Sequence, residues 1–442
     1  MSSIDSLAPE PIDPVRVSPM EEAFWRGPMR VVMLLRLDGW IESAPLVEAL
    51  RRQQRRHPKL RAVMAVGPDG RNIYQFQHDP PAFPCEVIDV DGAESPWREA
   101  TERLLHIDPP PRGSLMAVIA LRDRARQRSE VVLSVHHGVA DGRSGVTLAH
   151  ELLTEYVNAH TGRPPLPALP VVSAPTARLS SRWIDRLRLV RRFVRLQLDE
   201  ARLPHTRLPE APGVLLSSQW VHWVLSREDT LKLVRCCRTH RVIPTAAVVA
   251  AVCCGLMECL PATTAVLKWQ CPFDVRESVD GPVSPVDLGN FVASMRGLCA
   301  LPRRPSFWEV AKQVHQDIQE FVRQGGPALG YNIAQLLLGR RFRRLDGALP
   351  RPMRRPTLLF TNHGVIGLAD SYGDLRLQEA TFIFKGDDVT RPWLTLESLI
   401  VGHRLNLGLI GDGLDPAFWA RLHVAVRGHL DLAMGLGAAP AP

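Results

Sequence analysis

His136-His137-Gly138-Val139-Ala140-Asp141-Gly142 is the stretch on which the rest of this chain turns. It follows an uncharged apolar run, Val131-Val132-Leu133-Ser134-Val135, which predicts a strand. It precedes Gly145 to Val157, where apolar residues recur at helical spacing. Strand, tight turn and helix is a common way to hold a reactive side chain at the mouth of a cleft. Gly138 and Gly142 bracket the turn and allow positive φ and close backbone approach there. A histidine at a strand end acts as a general base when its ring is neutral and a free nitrogen faces a substrate. An unperturbed imidazole titrates near about pH 6.5 and is mostly neutral at physiological pH. Such assistance typically supplies roughly 10²–10⁴-fold in rate.

Asp141 follows His137 by four residues, and three roles are open to it. It orients the ring as in a nucleophilic triad, or ligates a metal with the histidines, or pairs with a distant arginine. The first two find little support. No Gly-x-Ser-x-Gly elbow seats a serine nucleophile, and no HExxH or comparable spacing supplies the three or four ligands of a metal site. Paired histidines at a strand end also have a purely structural reading. The glycine bracket and the Asp-Gly turn weigh towards chemistry.

At 442 residues the chain is too long for one ordinary core and suits two domains. Its 45% hydrophobic and 23% charged residues describe a soluble globular protein. The formal net charge of +8 is carried mostly by arginine and favours anionic partners. No helix-turn-helix, zinc-finger or RNP signature accompanies it, so nucleic acid is not an expected partner. The eight cysteines include the vicinal pairs Cys236-Cys237 and Cys253-Cys254 within helical patterns, poor geometry for disulfides or zinc. The segment Met1 to Pro14 carries acidic residues and prolines and does not read as a signal peptide. Reduced thiols in a cytoplasmic protein are the expectation. The longest uncharged stretch, Val242 to Met257, falls short of the ~18 residues of a membrane span and predicts a buried helix.

Helix and strand signals alternate through the first half. Strands are predicted at Met29–Leu37, Ala62–Val66, Ile73–Phe76 and Leu115–Leu121, the last pairing with Val131–Val135, and an amphipathic helix at Ala44–Arg56. A proline-rich linker runs from Arg163 to Pro175. The second half repeats the mixture, with helices at Arg227–Thr239, Thr245–Leu256, Ser306–Gln324 and Asn332–Leu338. Its strands are predicted at Gln219–Leu225, Ala265–Cys271, Thr357–Asn362, Ala380–Phe384 and Leu405–Ile410. Two halves of similar α/β mixture suggest a pseudo-dimer with a cleft between them.

The HHxxxDG form of residues 136–142 resembles the signature of the CoA-dependent acyltransferase superfamily, which includes condensation domains, polyketide-associated acyltransferases and wax ester synthases. Other segments resemble that family in the same order: Ser18-Pro19-Met20 with Phe24-Trp25, the helix exit Ala49-Leu50 through Arg56-His57-Pro58-Lys59-Leu60-Arg61, and Pro272-Phe273-Asp274-Val275-Arg276. Asp287-Leu288-Gly289-Asn290 and Thr361-Asn362-His363-Gly364 complete the series. The Leu-Gly-Asn form departs from the DFGWG of the plant enzymes. The resemblance implies an α/β, two-lobed, chloramphenicol-acetyltransferase-like pseudo-dimer with the active site in a tunnel between lobes. It divides into an N-terminal lobe over 1–175, a basic crossover over 176–210 and a C-terminal lobe over 211–442.

It further implies that His137 is the general base, with His136, Asp141 and Gly142 as structural supports and Arg276 as the partner of Asp141. Ser144, Asn290, Thr361 and Asn362 are candidates for the substrate channel or for donors to an oxyanion. Each also has a plainer role, Asn290 in a turn, Thr361 and Asn362 at a strand end, and Ser144 as the cap of the helix after the motif. His363 reads as a packed or exposed histidine. The implied reaction moves an acyl group from a thioester, on CoA or on the phosphopantetheine of an acyl carrier protein, to a hydroxyl acceptor. No metal and no permanently bound cofactor is expected, nor a transmembrane segment, and the protein is expected to be a monomer. A free-standing condensation enzyme forming an amide, a catalytically silent interaction domain and a thioester hydrolase are the alternatives. The absence of adenylation or carrier sequence favours a tailoring or chain-releasing ester-forming enzyme.

The segment Trp183 to Leu198 places Trp183, Leu187, Val190, Val194 and Leu198 at helical spacing among Arg182, Arg186, Arg188, Arg191, Arg192 and Arg195. A membrane-surface helix or a carrier-protein dock has this pattern. The favoured expectation is a crossover helix with that apolar stripe buried and its basic face solvated.

Overall fold

The computed structural model describes residues 12–436 except 91, 93–94, 173–176, 179–182, 203–205, 212–217, 282, 339–355 and 385–391. The expectations at Pro175 and Arg182, and most of the segment from Met1 to Pro14, lie outside the described residues. In the first part of the chain the strands are β1 (Val15–Arg16), β2 (Arg30–Asp38), β3 (Ala62–Val66), β4 (Asn72–Phe76), β5 (Cys85–Asp89), β6 (Met116–Asp123) and β7 (Arg128–His136). The helices among them are α1 (Pro19–Trp25), α2 (Ser43–Arg56), α3 (Trp97–Leu105) and α4 (Gly142–His160), followed by α5 (Trp183–Arg202). Later come β8 (Ser218–Val224), α6 (Arg227–Thr239), α7 (Pro244–Cys259), β9 (Thr264–Asp274), β10 (Val292–Pro302), α8 (Phe307–Arg323) and α9 (Gly326–Leu338). Then follow β11 (Leu358–Val365), β12 (Ser371–Tyr372), β13 (Leu375–Phe384), β14 (Leu394–Val401), β15 (Arg404–Asp412) and α10 (Pro416–Ala433).

The strands form a small three-stranded sheet, order β1-β4-β3, and two six-stranded sheets, one per lobe, with orders β12-β13-β2-β7-β6-β5 and β10-β9-β11-β14-β15-β8. The fold is the two-lobed α/β arrangement that the resemblance implies. The sheets do not divide the chain at one point, since β13 crosses over and pairs antiparallel with β2, from Arg376 opposite Asp38 to Phe384 opposite Val31.

The apolar run that ends at the motif becomes β7, central in its sheet between β2 and β6. Covered on both faces, such a strand needs no polar alternation. Val131, Leu133 and Val135 pack with Met33, Leu35 and the helices α2 and α4. Val132, on the opposite face, joins Val32, Leu34 and Ile119 over Trp97 and Leu104 of α3, with Trp220 and Ile410 of the second lobe in the same cluster. Trp97 and Trp220 stack with ring centres 5.7 Å apart. Strand β7 is thereby fixed in depth, and the turn after it sits at the seam of the lobes.

In the second lobe α7 fills the core. Ala246 to Met257 are all buried, against β9, β14, β15, α8 and α10, as expected of the long uncharged stretch. Among the described residues no single helix is long and apolar enough to cross a membrane. Helix α9 begins at Gly326, earlier than the expected Asn332, because Pro327 is well suited to a first helical turn. The expectation for the basic segment is corrected on one point. Trp183, Leu187, Val190, Val194 and Leu198 are exposed, and it is Leu189 on another face of α5 that is buried.

Candidate active site

His136 is fully buried; its Nε2–H donates to the Gly27 carbonyl at 3.0 Å and its Nδ1 accepts the Gly138 N–H at 3.1 Å. Both ring nitrogens are occupied, which suits only the neutral ring. Burial, with Arg30 nearby, lowers the His136 pKa to about 4. The Tyr74 hydroxyl donates to the Gly138 carbonyl at 2.9 Å.

Gly138 and Gly142 do not use the positive φ that glycine allows. Close approach is what requires them. A Cβ on Gly138 would lie 3.0 Å from the Trp25 backbone, and one on Gly142 would lie 2.7 Å from His363 Cε1.

The cap of α4 is Asp141, not Ser144. Its carboxylate accepts the Ser144 N–H at 2.8 Å and the Ser144 hydroxyl at 2.9 Å. The same carboxylate takes a two-pronged ion pair from Arg276, at 2.8 and 2.9 Å, and the Phe291 N–H at 3.0 Å. Arg276 also reaches the Ser144 hydroxyl, the Asp287 carbonyl and Asp274. Burial pushes the Asp141 carboxyl up, but Arg276 and the two N–H donors outweigh it and hold it below its ordinary range. A planar guanidinium matches a carboxylate in this paired geometry. The Asp141 N–H donates to the Gly289 carbonyl at 3.0 Å, so the knot ties the motif to residues 274–291 of the second lobe.

His137 follows His136 with a different environment. Its ring stacks on Phe24 at 4.4 Å between centres and meets the edge of Phe384 at 6.2 Å. The Asn290 side chain, from the second lobe, places Nδ2 3.0 Å from His137 Nδ1 and 3.3 Å from the His137 carbonyl. Nε2 makes no hydrogen bond among the described residues. Burial lowers the His137 pKa, against a hydrogen bond to its own backbone and the charge of Asp141. The ring is neutral at physiological pH and held on one edge.

The other candidates are distributed unevenly. Asn290 meets His137 and Arg276 meets Asp141, whereas the Ser144 hydroxyl is buried within the ion-pair knot. Thr361 and Asn362 lie on β11, where the Asn362 carbonyl accepts from Ser398 and from the Gly364 N–H, and neither bonds to the motif among the described residues. Their neighbour His363 does reach it: its ring packs at Gly142, stacks on Phe382 at 3.9 Å and lies 3.2 Å from Glu397. Phe24 was not legible as a site residue. Its helix was legible, since Ser18 and Glu21 form a capping box. Among the described residues no group of three or more His, Cys, Asp or Glu side chains is placed to hold a metal.

Comparison with known proteins adds the family context. Residues 217–390 match the family described as phthiocerol/phthiodiolone dimycocerosyl transferase C-terminus. The phthiocerol/phthiodiolone dimycocerosyl transferase of Mycobacterium leprae is 24% identical over 310 residues, 68% of this chain and 71% of that protein. The structure of polyketide synthase associated protein 5 from Mycobacterium tuberculosis superposes with a TM-score of 0.68 at 20% identity, covering 96% of this chain and 99% of that one. Trichothecene 15-O-acetyltransferase from Fusarium sporotrichioides gives 0.69 at 12% identity, with 95% of each chain covered. The first condensation domain of the CDA synthetase gives 0.65 at 18%, with 96% and 97% covered. The chain is therefore an acyltransferase of the condensation-domain-like fold class, related in sequence to the dimycocerosyl transferases.

Proposed function

We propose that this acyltransferase moves an acyl group from a thioester, on CoA or a carrier phosphopantetheine, to a hydroxyl acceptor, with His137 as general base in a tunnel between the lobes. The observation that carries the proposal is the asymmetry of the His137 ring. Its Nδ1 edge is held across the seam by Asn290, while Nε2 has no hydrogen-bond partner among the described residues. A base needs its proton on the held edge. That tautomer is favoured by the bond from the ring to its own backbone. As placed, Asn290 Nδ2 also donates to the His137 carbonyl at 3.3 Å, a bond it keeps when Nδ1 carries the proton.

In this mechanism Nε2 takes the acceptor O–H proton as the oxygen attacks the thioester carbonyl. The tetrahedral intermediate collapses to the ester, and the departing thiolate recovers the proton from the imidazolium. Atoms balance with no enzyme nucleophile, and placement of two substrates against one ring is the main contribution. Ser144 and Asn290 are already engaged. Thr361, whose hydroxyl has no hydrogen-bond partner among the described residues, is the candidate oxyanion donor that remains open on β11. The Asp141–Arg276 knot is assigned a supporting role. Acyl-CoA and carrier thioesters are substrates here, and a cytoplasmic setting belongs to the same proposal.

The test is free-thiol release from a panel of acyl-CoA and acyl-carrier thioesters, with and without pooled alcohols or pooled amines, products identified by mass. Alcohol-dependent release with an ester product is expected. An amide product moves the assignment to condensation, and release indifferent to acceptor moves it to hydrolysis.

A further inference from the structure

Helix α5 packs on the fold by one side and leaves an apolar row uncovered on the other. Its inner side is anchored by buried Leu189 and by Arg192, which lies 3.3 Å from Asp317 and 3.8 Å from Glu320 on α8. On its outer side Trp183, Leu187, Val190, Val194 and Leu198 form that row, each between 47% and 70% exposed, with Ile184 beside it at 46%. Steps of three and four residues keep these side chains on one face. From Trp183 to Leu198 the row runs about 23 Å along the helix.

The charges beside that row are mostly cationic, with Asp199 the one acidic side chain in the hollow they line. Arg191, Arg195 and Arg202 are exposed along its flank, and together with Val190, Val194 and Leu198 they line a shallow hollow on this face. Asp199 lies 3.7 Å from Arg195, a pair whose arginine remains 86% exposed. A long exposed apolar row with a terminal tryptophan and an arginine flank fits the plane of an anionic phospholipid surface. The row enters the acyl boundary and the guanidinium groups meet the phosphates. A second copy laid antiparallel on the same face would instead set arginine flank against arginine flank.

We propose that the outer face of α5 docks this enzyme on anionic phospholipid membranes, as a helix lying in the interface and not spanning it. The inference is independent of the acyl-transfer chemistry assigned to His137.

The test is co-sedimentation of the full chain with vesicles of phosphatidylcholine alone and of equal parts phosphatidylcholine and phosphatidylglycerol. Binding to the mixed vesicles, weakened by salt and weak on phosphatidylcholine, is expected. Leu187→Glu with Val194→Glu should lower it by at least about tenfold, and Arg191→Glu with Arg195→Glu by a similar factor. Both variants should keep wild-type acyl transfer on soluble substrates and the wild-type circular dichroism. Binding unchanged by the apolar pair, or absent from both vesicle types, would overturn the proposal. So would a dimer in sedimentation velocity that the apolar pair dissolves, which would make this face an interface between copies. Capture of an acyl carrier protein through these residues without vesicle binding would overturn it as well.

Discussion

At the residue scale, adjacent histidines are separated in role by what occupies their nitrogens. His136 has both ring nitrogens bonded, to Gly27 and Gly138, and is suited to support. His137 has one edge held and the other open. Burial holds its pKa below the ordinary 6.5, so the neutral ring persists to lower pH than a free imidazole does. The acid limb of kcat/KM should therefore fall below pH 6.5, whereas an exposed, charge-stabilised histidine would put it at or above that value. Asn290→Ala should lower kcat by roughly tenfold or more, with little change in KM. It should also move the acid limb, a readout that a merely structural asparagine would leave in place. The motif was legible from residue types alone, but the nitrogen assignment was not. It depends on Asn290, which lies 153 residues away in sequence, and on Phe24 stacked over the ring.

At the element scale, the strand–turn–helix unit shows which local signals the sequence carried. The apolar run of β7 and the helical spacing of α4 marked both elements, and α6 falls on the expected residues Arg227–Thr239. Strand β10 carries a readable signal that went unused. Its burial alternates along Val292–Pro302, with Ala293, Met295, Gly297, Cys299 and Leu301 inward. Strand β14 has almost no alternation, because Leu394 to Val401 is buried on both faces and even includes Glu397. Such a run is hard to separate from a buried helix by period alone. The assignment of Ser144 as cap failed because a buried carboxylate three residues earlier was the better acceptor for the same N–H. The Gly142 contact makes a further prediction. Gly142→Ala should destabilise the fold by about 1–3 kcal/mol in chemical denaturation, as overpacking does. His363→Ala in the same chain should recover much of that loss. Additive effects of the two substitutions would show that the contact does not set the cost.

At the scale of the whole molecule, the lobes are joined by the β13 crossing, by a shared apolar cluster and by polar ties at the motif. The Asp141–Arg276 pair is the most constrained of those at the motif, since it is buried and joins the α4 cap to the segment carrying Gly289 and Asn290. Removing one charge leaves the other stranded. Asp141→Ala should cost about 3–5 kcal/mol in urea unfolding and reduce soluble yield together with activity. Normal stability with only the chemistry lost would give Asp141 a chemical role instead. The pairing partner was suggested by the Pro-Phe-Asp-Val-Arg segment through family resemblance. The crossing of β13 into the first sheet was not, because long-range strand pairing leaves no local pattern. The outward stripe of α5 was misread for a related reason, since periodicity identifies an apolar face without saying what covers it.

The most direct test of the account is acceptor-dependent thiol release by His137→Ala, measured beside the wild type on the best thioester and alcohol, with the fold checked by circular dichroism. A folded variant slowed by roughly 10²–10⁴-fold is predicted, as loss of a general base requires. A folded variant that keeps its rate within about tenfold of wild type would contradict the assignment of His137 as the base.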